Sequence, residues 1–246
     1  MKIDLNCDTG ESYGRYALGN DEAIMPYITS VNIACGFHAG DPVVMQRTIR
    51  LAKRFGLVVG AHPGWPDLQG FGRRQMSLAA DETEALILYQ IGALAAFASA
   101  EGMGLRHVKP HGALYNQAAK DKVLAEAIAR GVKRFSRDLI LIGLAGSGLI
   151  EAGVEADLRV ANEGFPDRAY NPDGTLISRQ LAGATIESPV EVAIHALALA
   201  TEGIQFGDKL VRVDTLCLHG DNPRAPENAR MINNLLKKNG IETASL

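Results

Sequence analysis

Lys109-Pro110-His111 sets a lysine and a histidine two residues apart, on one side of an extended chain. Such a lysine can hold a carboxylate or a transferring phosphoryl group. Such a histidine can act as general base or acid near neutral pH. The plainer reading of Lys109 is a buried ion pair with Asp or Glu. Other reactive residues recur at similar places. His38, His62, His111 and His219, four of the six histidines, each follow a short apolar run. With Asp8 they could bind a divalent metal, and Asp8, His38 and His62 are the candidate ligands. No HxxxH or HExxH pair sits on one element. His107 lies near the start of its run, and His195 lies in a stretch rich in alanine and leucine, where a satisfied or surface histidine is expected. Gly70-Phe71-Gly72-Arg73-Arg74 reads as an anion-facing turn: glycines expose backbone N–H groups and an arginine can grip a carboxylate or phosphate. Solvated arginines are the plainer alternative.

These residues need elements to position them. Apolar runs predict strands near Lys2–Asp8, Ser30–Gly36, Leu57–His62, Arg106–Lys109, Leu139–Ala145, Leu158–Asn162 and Val213–His219. Between them, helices are predicted near Pro42–Phe55, Ala79–Glu101, Lys120–Phe135, Pro189–Glu202 and Arg224–Lys238. Asp41-Pro42 and Ser188-Pro189 read as caps followed by proline in the first turn, and Gly56, Gly102, Gly203 and Gly240 as stops. Alternating strands and helices point to a parallel α/β fold, and an irregular (β/α) barrel is favoured over an open doubly wound sheet. Residues 1–246 are expected to form one barrel domain, interrupted by a long excursion at about 164–185 with a turn at Asp173-Gly174. Asp167 and Arg168 there are expected as surface salt-bridge partners.

Alternation within the strands tells where polarity goes. Asp4, Asn6 and Asp8 share one face of the first strand, opposite Ile3, Leu5 and Cys7. In the second, Asn32, Ala34 and Gly36 lie opposite Val31, Ile33 and Cys35. A strand covered by helices should be apolar on both faces. Polar faces on two strands, with reactive residues at the C-terminal ends of six, imply a wet interior shaped for a ligand at the end where barrels place their sites.

Composition narrows the function. At 47% hydrophobic and 22% charged residues the chain has ordinary globular make-up. A net charge of -3 with scattered basic residues argues against nucleic acid or an acidic membrane as partner. The start carries Asp4 and Asp8 without a long apolar stretch, so no signal peptide is expected, and Ala93–Ala100 is too short to span a bilayer. Cys7, Cys35 and Cys217 each lie in an apolar run; buried free thiols in a reducing cytoplasm are expected rather than disulfides. Neither a GxxxxGK[ST] phosphate loop, a GxGxxG turn nor a GxSxG elbow occurs; Gly143–Gly148 is glycine-rich but lacks the lysine. The residues alone reach hydrolysis or proton transfer on a small polar molecule.

The longer blocks carry a resemblance. Asp4-Leu5-Asn6-Cys7-Asp8-Thr9-Gly10-Glu11, the run Asn32 to Pro42, Gly60-Ala61-His62-Pro63, Gly70 to Arg74, Val108 to Asn116, and Cys217-Leu218-His219-Gly220-Asp221 together resemble the LamB/YcsF family over nearly the whole chain. The resemblance implies an irregular seven-stranded (β/α) barrel of the glycoside hydrolase/deacetylase type. It implies ATP-dependent conversion of 5-oxo-L-proline to L-glutamate, with 5-oxoprolinase subunits B and C as partners; ATP could sit on this chain or on a partner, and a divalent metal is left open. Under it, Asp8, His38, His62, Lys109 and His111 are the expected catalytic residues. One of the histidines orients or deprotonates water, Lys109 stabilises oxyanion or phosphoryl charge, and Asp8 fixes a histidine or a metal. Arg73 is expected to grip the substrate carboxylate, with Asn6, Glu11, Tyr115, Asn116, Glu163, Arg179, His219 and Asp221 as further substrate contacts. Trp65, Pro166 and Ser178 depart from the residues usual in the family. Two rival readings are a stand-alone metal-dependent deacetylase or amidohydrolase, and a non-catalytic scaffold of the complex.

Overall fold

A computed structural model describes residues 1–178, 181–206 and 208–246. The strands are β1 (Lys2–Thr9), β2 (Ser30–Ala34), β3 (Val58–His62), β4 (Leu105–Val108), β5 (Ile140–Leu144), β6 (Arg159–Gly164), β7 (Ile204–Phe206), β8 (Lys209–Val211), β9 (Thr215–His219) and β10 (Glu242–Thr243). The helices are α1 (Asp21–Ile24), α2 (Pro42–Arg54), α3 (Ala80–Ala100), α4 (Gly112–Ala118), α5 (Lys122–Phe135), α6 (Gly148–Glu155), α7 (Pro189–Glu202) and α8 (Ala225–Lys238). Strands β1 to β6 and β9 pair in parallel in that order, and β9 pairs back to β1, closing a seven-stranded barrel.

The barrel is irregular for local reasons. Its register shifts between Val59 and Gly60 where β3 meets β4. Strand β6 pairs with β9 only through Glu163 and Gly164, so these two strands are strongly staggered. Strand β10 lies beside the start of β1, outside the ring.

All seven predicted strands and five predicted helices are present, with ends shifted by a residue or two. Local sequence hid the rest. Helices α1, α4 and α6 are short, of 4, 7 and 8 residues, and too brief for an apolar period to register. The β7–β8 hairpin holds three residues per strand. The turn at Asp173-Gly174 is present: Asn171 N–H donates to Thr175 O at 2.7 Å, and Tyr170 bridges Leu176 in antiparallel fashion.

One of the two expected caps forms, and a further one lies at the start of α5. Asp41 accepts hydrogen bonds from Val43 N–H and Val44 N–H, with Pro42 in the first turn of α2. Asp121 accepts from Leu124 N–H at the start of α5. At Ser188 no side-chain cap bond forms, and Pro189 alone opens α7. Helix α3 is the one described helix long and apolar enough to cross a membrane by length and composition; here it packs against α2, β3 and α5 on the outside of the barrel. The principal core lies between barrel and helices, built from Leu5, Ile33, Ile49, Ile87, Ile91, Leu94, Ile128 and Leu141. The three thiols are free and buried.

Candidate active site

The barrel interior is a column of polar side chains. At its lower end Asp4 accepts from Thr29, Ser30 and Thr215 hydroxyls at 2.5–2.9 Å. Above it, Asn6 Nδ2 donates to Thr215 Oγ1 at 2.6 Å and to Glu163 Oε1 at 3.0 Å. Asn32 Nδ2 donates to Asn6 Oδ1 at 2.7 Å and to Asp8 Oδ1 at 2.8 Å, while its Oδ1 accepts from His107 Nε2 at 2.7 Å. Apart from His107 Nδ1, which has no partner among the described residues, these side chains meet one another layer by layer, which is what makes a wet interior tolerable. Burial first, with Lys109 next, pushes His107 down to about 3, so it is a neutral donor in this column. His107 fits only because residue 60 is glycine: a Cβ there would lie 2.0 Å from His107 Nε2.

The column ends in a charged layer. Lys109 Nζ donates to Asp8 Oδ1 at 2.8 Å and to Cys217 Sγ at 2.7 Å, and lies 3.2 Å from Glu163 Oε1. Its three N–H donors have three partners, two of them carboxylates. Burial opposes the ammonium, but Asp8, Cys217 and Glu163 together hold it charged, well above the ordinary lysine value. Burial likewise opposes Asp8 ionisation, and His62 with Lys109 overcomes it, holding the carboxyl well below its usual range. Glu163 is raised by burial, against Lys109, and accepts from Tyr115 Oη at 2.8 Å. Burial, then Asp8, pushes the Cys217 thiol well up.

Beside this layer lies an imidazole cluster. His111 Nδ1 is 3.0 Å from His62 Nε2, and the parallel rings of His38 and His111 stack with centroids 3.8 Å apart. Glu11 Oε1 lies 3.3 Å from both His38 Nε2 and His111 Nδ1. Burial pushes Glu11 well up, and burial with neighbouring rings pushes His38 and His111 well down. At neutral pH the Glu11–His111 contact is therefore not a closed ion pair. Helix α3 helps to hold the cluster: Gln90 accepts from Gly64 N–H and donates to Gly64 O, fixing the turn that passes His38.

A cleft of about 990 Å³ opens over both groups. Its wall includes Asp8, His62, Lys109, His111, Tyr115, Asn116, Arg73 and His219, and the excursion contributes Arg168 and Thr175 to Ser178. Asn6, Glu11, His38 and Glu163 stand behind this wall, buried, and act on it through the bonds described. Asn116 Nδ2 donates to Gly112 O within α4. Arg73 pairs with Asp221 at 2.6 Å and covers the Phe71 ring. Arg179 lies outside the described residues.

Two expectations for the excursion fail. Asp167 and Arg168 are buried, not surface partners. Asp167 Oδ2 accepts from His219 Nδ1 at 2.9 Å, and Arg168 donates to the Ile177 and Ala184 carbonyls, tying the excursion together. Their neighbours sit some ten residues or more away, so local composition could not reveal them. Cys217 was also missed as part of the charged layer. His219 stacks on Phe165, with centroids 5.4 Å apart, and its pairing with Asp167 resembles an oriented acid–base pair. His195 is satisfied by Pro166 O at 2.9 Å. Trp65 is fully buried and donates to Gln117 Oε1 at 2.9 Å.

Two groups among the described residues can hold a metal ion: Glu11, His38, His62 and His111, and separately Asp8, Cys217 and His219. The expected ligands Asp8, His38 and His62 are divided between them.

A closed parallel barrel with histidines, carboxylates and a buried lysine beneath a cleft at its C-terminal end defines a hydrolase-like α/β barrel. The LamB/YcsF family profile matches residues 3–246, and the chain belongs to that family. It is 53% identical to the 5-oxoprolinase A subunit of Pyrococcus abyssi, over 100% of this chain and 98% of the relative. It is 54% identical to the corresponding 5-oxoprolinase A subunit of Methylococcus capsulatus, over 99% and 95%. The lactam utilization protein of Thermus thermophilus superposes with a TM-score of 0.93 at 49% identity, over 100% of both chains. A family 4 carbohydrate esterase of Streptomyces lividans shares the fold, with a TM-score of 0.51 at 10% identity over 99% and 92%.

Proposed function

We propose that this chain is the A component of an ATP-dependent 5-oxoprolinase, opening 5-oxo-L-proline to L-glutamate together with B and C subunits. Full-length relatives bearing that name support the substrate and the shared assembly. The observation that carries the chemistry is the charged layer under the cleft, where Lys109 meets Asp8 and Glu163. A five-membered lactam is little strained and its carbonyl is a poor electrophile. Transfer of the γ-phosphoryl group to the lactam oxygen, with departure of ADP, activates the ring carbon. Water then adds to that carbon, the ring C–N bond breaks as nitrogen gains a proton, and a second water releases phosphate.

Each step needs a group this site can offer. Lys109 is a permanent cation for oxygen charge, and the sulfur of Cys217 is the weakest of its acceptors and the one a substrate oxygen displaces. His62 and His111 line the wall along which water reaches that carbon. His219, oriented through Nδ1 by Asp167, keeps Nε2 for the ring nitrogen. Arg73 at the rim receives the substrate carboxylate by exchanging Asp221 for it. The cleft, at the upper end of the roughly 300–1,000 Å³ of small-molecule sites, has room for a lactam with a phosphoryl donor.

The test is glutamate release from 5-oxoproline by the purified chain, alone and with the B and C subunits, with and without ATP. Release only in the complete mixture with ATP supports the reading. Release by the chain alone without ATP replaces it with an autonomous hydrolase, and no release in any mixture removes the substrate.

A further inference from the structure

Glu11, His38, His62 and His111 each turn one ligand-capable atom toward the same point. His62 Nδ1 lies 2.7 Å from the Lys109 carbonyl oxygen, and His111 Nε2 lies 2.8 Å from that of Phe71. A carbonyl oxygen only accepts, so these nitrogens carry the ring protons. With both rings neutral, the opposite nitrogens, His62 Nε2 and His111 Nδ1, are bare and face each other at 3.0 Å. Glu11 Oε1, another acceptor, stands 3.3 Å from His111 Nδ1 and 3.9 Å from His62 Nε2. Such a meeting of acceptors calls for a cation at its centre.

The spacing fits a particular one. Zinc bonds of about 2.0–2.1 Å in a tetrahedron set neighbouring ligand atoms about 3.3 Å apart. Four of the six edges here measure 3.0, 3.3, 3.3 and 3.9 Å. One donor atom from each of the four residues lies within 4.8 Å of all the others. The surroundings are built for it. The carbonyls of Lys109 and Phe71 act as the outer partners that fix ligand histidines. Phe71 holds its carbonyl in place from a left-handed backbone, φ 55°, one of two non-glycine residues so placed among those described. A Cβ at Gly72 would lie 2.8 Å from both the His38 Cβ and the His111 ring.

We infer that Glu11, His38, His62 and His111 form a closed N₃O site for one zinc-like divalent cation behind the cleft wall. Three imidazoles favour zinc or another imidazole-preferring transition metal over magnesium. Four protein ligands leave no open position, so the ion fixes the rings of His62 and His111 on the cleft wall. Asp8 stays outside the set: its Oδ1 is bound to Lys109 and Asn32, and its Oδ2 lies 3.4 Å from His62 Nε2 as an outer neighbour of that ligand. This ion site holds or fails independently of the lactam as substrate.

The experiment strips the full chain with a chelator, equilibrates it with zinc or magnesium, and measures bound metal after gel filtration. Cobalt(II) provides an optical readout. One zinc per chain, little magnesium, and the intense visible bands of tetrahedral cobalt are expected. Glu11→Gln and His111→Gln should each weaken zinc by more than the roughly 10–100-fold that loss of an outer partner costs. Asp8→Asn should keep full occupancy. Absence of retained zinc, or the weak spectrum of octahedral cobalt in the unaltered chain, would overturn the proposal even if a variant failed to fold. So would zinc lost from Asp8→Asn but kept by Glu11→Gln.

Discussion

Replacing Lys109 by methionine removes the positive member of the charged layer. The hydrocarbon stem is retained, and the ammonium that meets Asp8 at 2.8 Å and Glu163 at 3.2 Å is lost. Both carboxylates are buried, and breaking such a pair costs about 3–5 kcal/mol. Asn32 still serves Asp8, and Asn6 and Tyr115 still serve Glu163, which favours the lower end. At about 2–4 °C per kcal/mol for a chain of this size, the melting temperature should fall by about 6–20 °C. The pH sign follows from linkage. Lys109, raised in the folded state, contributes fully below its unfolded value of about 10.4. Asp8, depressed in the folded state, contributes above about 3.9 and loses that contribution as pH falls through its folded value. Without the ammonium, both carboxylates titrate higher, so the deficit of Lys109→Met relative to the parent should shrink from pH 8 to pH 5.5. Adding Glu163→Gln should recover part of the stability without restoring glutamate release. Thermal unfolding at the two pH values, with the ATP-dependent assay alongside, tests this. An unchanged melting temperature, a deficit independent of pH, or retained turnover would refute the reasoning.

Three further outcomes are expected. Gly60→Ala drives a methyl into the His107 ring and should cost at least about 3 kcal/mol in urea unfolding, the upper end of overpacking. Asp167→Asn removes the acceptor that orients His219 and should lower kcat by about 10²-fold or more with little change in stability; a pH–rate profile shows whether an acid–base limb has moved. His107, near 3 when folded and about 6.5 when unfolded, makes the unfolded chain bind the extra proton between those values, so stability should fall as pH drops through that window. His107→Gln should flatten that acid limb, measured by urea titrations at stepped pH.

Much of this was legible because two periods were legible. The alternation Asp4, Asn6, Asp8 named the inward face of β1 from sequence alone, and all three line the column. Strand ends carrying His62, Lys109 and His111 converge because a parallel barrel brings every C-terminal end to one side. Partnerships across the barrel were not legible. Cys217 meets Lys109 from 108 residues away, and Asp167 meets His219 from 52. Nothing local distinguishes a cysteine beside an ammonium from one among leucines. Glu11 was expected, from the resemblance, as a substrate contact; only the folded chain shows it behind the wall, against three imidazoles. The β7–β8 hairpin was missed because three-residue strands give alternation too few positions to register.

The hydrogen-bonded column inside the barrel also bears on how such a protein can evolve. In many enzymes reactive groups sit on loops over an oily interior, so specificity can drift while the foundation stays put. Here Asn6, Asn32, Glu163 and Asp8 are simultaneously interior and machinery, each answering for its neighbour's valence. A mutation that retunes one leaves a widowed donor or acceptor in the layer below, at about 1–3 kcal/mol. Adaptive change should therefore start at the periphery, at Arg73, Asn116 and Ser178, which meet solvent at the cleft. Laboratory selection for a new lactam would gain most from first reinforcing the α3–α5 packing, building a reserve of stability before the column is touched.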